Sequence, residues 1–248
     1  MTDSYLIRTE KCPLCVSEGN DRNEDNLAVY SDGHSYCYAG HGVVHRGSQI
    51  IQFKNKDLPH AGSREELLLP VDCDITYPEQ CLEWVGKYEL DRNDLLTNNV
   101  MWSESWKRLI FPVYDEFGIA AWQGRYFGED KTKAKWFGRG DLKNIYNILG
   151  SSGILVLVED IVSAIKIAKA GFMAMPLYGC VIGTERFKRL FLLFGKQVGV
   201  VVWLDEDKHR EALKEAKLGA LYGMDCRVVF SKRDPKDENF NSIKEILK

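Results

Sequence analysis

The sequence predicts an α/β protein built on a parallel sheet, with a smaller α+β subdomain before it and a small cysteine-bearing module at the N-terminus. Three observations carry this prediction. Ile154–Val158 and Val200–Leu204 are short, almost wholly apolar runs, the pattern of strands buried on both faces of a sheet. Beyond residue 150, strand-like and helix-like segments alternate, the order expected of parallel strands joined by right-handed crossovers. Three of the seven cysteines fall before residue 40, which favours metal ligation over a disulfide framework.

The totals bound the rest. At 248 residues the chain can bury a sizeable core and hold one or two domains. Hydrophobic residues make up 45% and charged residues 28%, an ordinary soluble composition. No run reaches membrane-spanning length and the first residues lack a signal-peptide layout, so a cytoplasmic location is expected. The net charge of −3 argues weakly against a nucleic-acid partner, but its distribution argues the other way. Between Val162 and Val200, six basic residues (Lys166, Lys169, Arg186, Lys188, Arg189, Lys196) stand against Glu185 alone, a local basic face.

In chain order, Cys12-Pro-Leu-Cys15 is half of a tetrahedral zinc site, and Cys37 supplies a third ligand at ribbon spacing. Position 40, where a second paired cysteine would fall, is Gly40. His41 is the chosen fourth ligand, with His34 and His45 as substitutes. His34, Tyr36 and Tyr38 flank Cys37 and can contact or stack on exposed bases. The predicted boundaries are residues 1–46 for the ribbon, 47–66 for a linker, 67–150 for the α+β subdomain and 151–248 for the sheet core. Pro78 to Leu90 carries a short amphipathic helix. Arg108 to Arg125 reads as two strands around the turn at Asp115–Gly118, and Lys131–Arg139 as a third, basic and aromatic element.

In the core, both apolar strands end in acid: Glu159-Asp160 after the first, Asp205-Glu206-Asp207 after the second. Strand alternation puts Asp205 and Asp207 on one side. Paired carboxylates at strand ends suit Mg²⁺, so Glu159, Asp205 and Asp207 are the candidate divalent-metal site. Past the last strand, Asp234 and Asp237 lie within reach of the same edge.

The order of these parts resembles the bacterial and bacteriophage DNA primases, closest to short stand-alone phage enzymes. The motifs are Cys-x-x-Cys followed by Asp32-Gly-His34-x-x-Cys37, then Lys107-Arg-Leu-Ile-Phe-Pro-Val113, Gly124-Arg125, a Glu-bearing strand and an Asp-x-Asp strand. The resemblance covers nearly the whole chain. It implies a toprim-type sheet core, a structural zinc ribbon, and a nucleotidyltransferase (a DNA-directed RNA polymerase) making short RNA primers on single-stranded DNA from ribonucleoside triphosphates. Glu159, Asp205 and Asp207 would be catalytic acids holding Mg²⁺ or Mn²⁺, supported by Asp234 and Asp237. Lys107, Arg108, Arg125 and Lys135 would line the template and nucleotide groove, with His34 also on DNA. The family's Glu-Gly-x-x-Asp is Glu159-Asp-Ile-Val-Ser163 in this chain. No Gly-x-x-x-x-Gly-Lys-Ser/Thr loop is present, so a replicative helicase is expected in trans, in a bacterial host cell. The rival readings are a toprim-type DNA nuclease and a non-catalytic zinc-ribbon module that binds single-stranded DNA.

Overall fold

The computed structural model describes residues 6–12, 15–16, 26–30, 34–37, 42–46, 67, 69–115, 118–143 and 145–248. The chain divides into two compact units, Met1–Glu65 and Glu66–Lys248. None of the described helices is long and apolar enough to cross a membrane.

The first unit holds an antiparallel four-stranded sheet in the order β1 (Leu6–Glu10), β2 (Leu27–Tyr30), β3 (His34–Cys37), β4 (Gly42–Arg46). Leu27, Ala28 and the three cysteines are its buried described side chains of apolar character.

The second unit opens with helices α1 (Glu79–Gly86) and α2 (Arg92–Thr97) and an antiparallel sheet. Its strand order is β5 (Cys73–Asp74), β6 (Met101–Ser103), β7 (Arg108–Asp115), β8 (Gly118–Tyr126), β9 (Trp136–Gly140). Asp91 starts α2 through a reciprocal capping box with Asp94, which satisfies the helix's first amide groups. Leu109 and Phe111 of β7 and Trp102 of β6 pack with Cys81, Val85 and Leu95 of the helices into one core. That core continues into Ile161, Val162 and Ile165, so the antiparallel sheet and the parallel sheet are joined through one helix.

That helix is α3 (Ile161–Lys169), buried from Ile161 through Ile167. It follows β10 (Ile154–Val158) and precedes β11 (Met173–Pro176). Helix α4 (Thr184–Phe194), strand β12 (Gly199–Val202), helix α5 (His209–Leu221), strand β13 (Cys226–Val228) and helix α6 (Phe240–Leu247) complete the chain. All pairings in this second sheet are parallel, in the order β11-β10-β12-β13. Val156, Val158, Val201 and Trp203 form one face with Ala164 and Ile167 of α3 and Ile243 and Leu247 of α6. On the other side, a Cβ on Gly219 of α5 would lie 2.5 Å from Cys226 Sγ and 2.6 Å from the Phe187 ring of α4, a contact close enough to demand glycine. Buried Glu215 of α5 accepts from Ile182 N (3.2 Å) and Gly183 N (2.9 Å), closing the start of α4.

Two expectations need correction. The strand at 200–204 ends earlier, at Val202, and Glu206–Lys208 forms a 3₁₀ turn with Asp205 at its N-cap. Strand alternation therefore does not apply to Asp205 and Asp207. The basic run from Val162 to Val200 is also less free than its count implies. Lys166 is only 2% exposed and pairs with Glu89 (3.0 Å), and Arg186 is buried on the carbonyls of Leu177 and Leu142. Lys169 is tied to Asp91 and Asp94, and Lys188 to Glu185. Counting charge along a chain cannot see cations spent on packing.

Candidate active site and metal centre

In an open parallel sheet, ligands bind beyond the strand C-termini where the strand order reverses. The order β11-β10-β12-β13 puts that reversal between β10 and β12, and Glu159 and Asp205 follow those two strands. One oxygen of each, Glu159 Oε2 and Asp205 Oδ1, is buried and accepts no hydrogen bond. A buried carboxylate oxygen without a donor is unfavourable, and a proton or a cation is the kind of partner that would satisfy it. Burial pushes the Asp205 carboxyl up to about 7, with Asp234, Glu159 and Asp160 adding to the rise and Lys236 opposing it. Glu159 is raised for the same leading reason, and then by the charges of Asp160 and Asp207. Desolvation is thus the main cause at both carboxyls, and neighbouring carboxylates add to it.

Compensation comes from Lys208 and then Lys236 at Glu159, and from Lys236 at Asp205. The Lys236 ammonium donates to Asp160 Oδ2 and Asp234 Oδ2, both at 2.9 Å. Asp160 is also the N-cap of α3, where Oδ1 accepts from Val162 N and Ser163 N at 2.9 Å and Oδ2 from Ser163 Oγ at 3.0 Å. Ser163 stands where the primase pattern has an acid, and it serves the neighbouring Asp160 instead. Sequence spacing gave no sign of Lys236, which lies 76 residues from Asp160.

The remaining predicted acids are farther out. Asp207 is 72% exposed and paired with Lys208, which holds its carboxyl below the usual range. Asp237 ends the 3₁₀ turn Pro235–Asp237, exposed to solvent. Among the described residues, the acids do not converge as three ligand atoms within 4.8 Å of one another; Cys12, Cys15 and Cys37 do.

Those three thiols are buried, and Cys15 Sγ lies 3.5 Å from Cys37 Sγ. Sulfurs on a tetrahedral zinc at about 2.3 Å stand roughly 3.8 Å apart, so the cluster fits that ion. Burial, followed by contact with Cys37 and Cys12, pushes the Cys15 thiol up to about 12. The arrangement is consistent with a zinc ribbon. His41, the chosen fourth ligand, lies outside the described residues, as do Tyr38 and the side chains of His34, Tyr36 and His45.

The four basic residues assigned to one groove do not share a face. Arg108 pairs with Tyr126 across β7 and β8, and Arg125 pairs with Leu109, so their side chains point to opposite sides of the sheet. Arg125 sits on the helix side, in an aromatic cage of Trp84, Phe127 and Trp136 with ring distances of 5.4, 5.3 and 5.9 Å. Its Nη1 donates to Tyr126 O at 3.0 Å, while its Nε is buried without an acceptor. The Tyr88 hydroxyl, raised chiefly by burial, also feels Asp237, Lys236 and Asp160, and Arg125 in turn feels Tyr88. Arg125 thus belongs to the side of the sheet nearer the acids. Arg108 faces away, Lys107 is exposed and paired with Glu104, and Lys135 is exposed.

Among solved structures, the chain is similar to the crystal structure of the zinc-binding and RNA polymerase domains of the Aquifex aeolicus primase. The TM-score is 0.54 at 16% identity, over 68% of this chain and 55% of that one. This chain therefore spans little more than half of that structure's length. A second similarity is to a bacteriophage T7 structure in which lagging-strand DNA polymerase interacts with primase domains, with TM-score 0.43 and 15% identity over 64% of this chain and 86% of that one. No family model and no curated protein matches the chain. The Aquifex likeness shows a primase-like fold.

Proposed function

We propose that the chain is a DNA primase, with a toprim-type catalytic core, that makes short RNA primers on single-stranded DNA for bacteriophage replication. The observation that carries this reading is the pair of buried, donor-free carboxylate oxygens on Glu159 and Asp205, at the ligand-binding edge of a primase-like fold. Glu159 and Asp205 would hold Mg²⁺ or Mn²⁺ on the inside, with Asp207, Asp234 and Asp237 on its outer side. Such an ion neutralises charge on a triphosphate and its leaving pyrophosphate.

The chain's own residues would do the rest by positioning. Lys236 holds Asp160 and Asp234 in place and keeps the carboxylates from repelling one another apart. Arg125, with no carboxylate partner among the described residues, is a cation available to a phosphate on the same side of the sheet. Joining two untethered nucleotides is an entropic problem first, so a site that orients them is worth more than a protein nucleophile. The cysteine cluster would hold structural zinc, with His41 as fourth ligand, and a replicative helicase would be supplied in trans.

One assay tests this reading. Single-stranded DNA, Mg²⁺ and labelled ribonucleoside triphosphates are incubated with the chain, and the products are sized. New short oligomers are expected. A shortened template would mean a nuclease, and neither product would mean a binding module.

A further inference from the structure

Arg108 is a buried cation that lacks an anion. It is 6% exposed, donates through Nη1 to Gly124 O (2.9 Å) and through Nη2 to Ala134 O (2.8 Å), and has no carboxylate in ion-pair range among the described residues. Carbonyl dipoles offset part of that buried charge, but the pairing is incomplete. Beside it lies a shallow cavity, largely open to solvent, of about 310 Å³ and lined by Ser105, Trp106, Arg108, Lys133 and Phe137. The size is at the lower end for a small-ligand site.

The aromatic rings at this cavity are unusually open. Trp106 is 36% and Phe137 37% exposed, although both pack edge-on or tilted against buried Trp122 at 5.6 and 5.7 Å. Cations surround them: Arg108 lies 5.6 Å and Arg139 5.8 Å from the Phe137 ring, and Lys133 is 5.4 Å from the Tyr126 ring. A ligand suited to this surface presents a flat π system and a negative charge a few ångströms apart. An apolar protein partner would leave Arg108 and Lys133 without counter-charge, and an acidic peptide would leave the two rings without a stacking partner. A nucleotide supplies both groups.

We infer that this cavity binds one nucleotide unit, its base stacked on Trp106 or Phe137 and its phosphate facing Arg108 and Lys133. The cavity is on the side of the antiparallel sheet opposite Arg125, so it is separate from the proposed catalytic centre. The inference complements the primase reading but does not depend on it. The unit belongs either to a single strand or to a free nucleoside triphosphate, which share the recognising chemistry.

The test is fluorescence anisotropy of the zinc-loaded full chain with a 5′-labelled octathymidylate in Mg²⁺-free buffer, where no synthesis occurs. Trp106→Ala and Phe137→Ala should each weaken binding about 5- to 150-fold, the range for loss of one base–aromatic stack. Trp106→Phe should restore most of the affinity. Lys133→Ala should weaken binding and lower the salt-dependence slope by about one. Competition identifies the source: a strand occupies the site if unlabelled octathymidylate displaces the probe and UTP does not, and a free nucleotide if UTP displaces it equally. Unchanged affinity in Trp106→Ala, Phe137→Ala and Lys133→Ala would overturn the inference, as would displacement by inorganic phosphate as effective as by the oligomer. Ring-dependent binding without any primer synthesis would refute the proposed function and leave this site standing.

Discussion

Replacing Asp205 by Asn separates charge from shape, which makes it the sharpest probe of the acid site. Disrupting a residue that only supports a metal ligand costs about 10- to 100-fold. If Asp205 is a direct ligand, as proposed, Asp205→Asn should lower Mg²⁺-dependent synthesis by more than about 100-fold, measured at saturating template. Asp207→Asn should cost less, because Asp207 stands in solvent with Lys208 as its partner. Folding should survive. Burial raises the Asp205 carboxyl to about 7, so at neutral pH, well above its unfolded value, carrying this carboxyl costs the metal-free fold stability. Without metal, Asp205→Asn should therefore melt no lower than the parent chain, and Mg²⁺ should raise the melting temperature of the parent alone. The cysteines give a parallel prediction. Metal analysis after preparation without chelators should find about one zinc per chain, and Cys37→Ser should abolish it. Activity retained by Asp205→Asn, or a zinc-free native protein, would remove the respective site.

Helix α3 connects the acids to the rest of the second unit, and its start is where sequence and structure part company. Strands β10 and β12 were legible because a buried parallel strand needs an unbroken apolar run, and their acidic ends stood out against it. Two features were hidden. Lys236 reaches Asp160 only because the turn after β13 folds back over the sheet edge, and no local pattern encodes that return. The opposite facing of Arg108 and Arg125 depends on strand register, which includes an irregularity between Val113 and Tyr114 that cannot be counted from sequence. The bridge can be tested on stability. Asp160→Asn keeps an N-cap acceptor and should cost under about 1 kcal/mol in urea unfolding, whereas Asp160→Ala loses cap and ion pair together and should cost about 2 kcal/mol. Lys236→Ala removes the cation bridging two of the carboxylates. Its melting temperature in metal-free buffer should fall, and Mg²⁺ should recover more of it than it adds to the parent chain. A Mg²⁺ response equal to the parent's would show that Lys236 does not serve the acid cluster.

At the scale of the whole molecule, the chain has two compact units, and the proposed chemistry lies wholly within the second. On the proposed reading the second unit would hold metal and nucleotides, and choosing where on a template synthesis begins is a separate task. We assign that task to the first unit. Its Cys12, Cys15 and Cys37 thiols lie together, and in the sequence His34, Tyr36 and Tyr38 flank Cys37, residue types able to stack on or hydrogen-bond exposed bases. Initiation and extension differ in what they demand: extension starts from a strand already paired to the template, while initiation must assemble two free nucleotides on it. Residues 66–248 alone should therefore extend a supplied oligomer weakly and fail to make the first dinucleotide. In the full chain, His34→Ala should depress dinucleotide synthesis more than extension, and a zinc assay on the same variant separates this role from metal ligation. The two rates are measured side by side with labelled ribonucleotides, once with and once without a pre-annealed primer. Equal loss of both rates in the shortened chain, or normal initiation by it, would show that the first unit does not select the start.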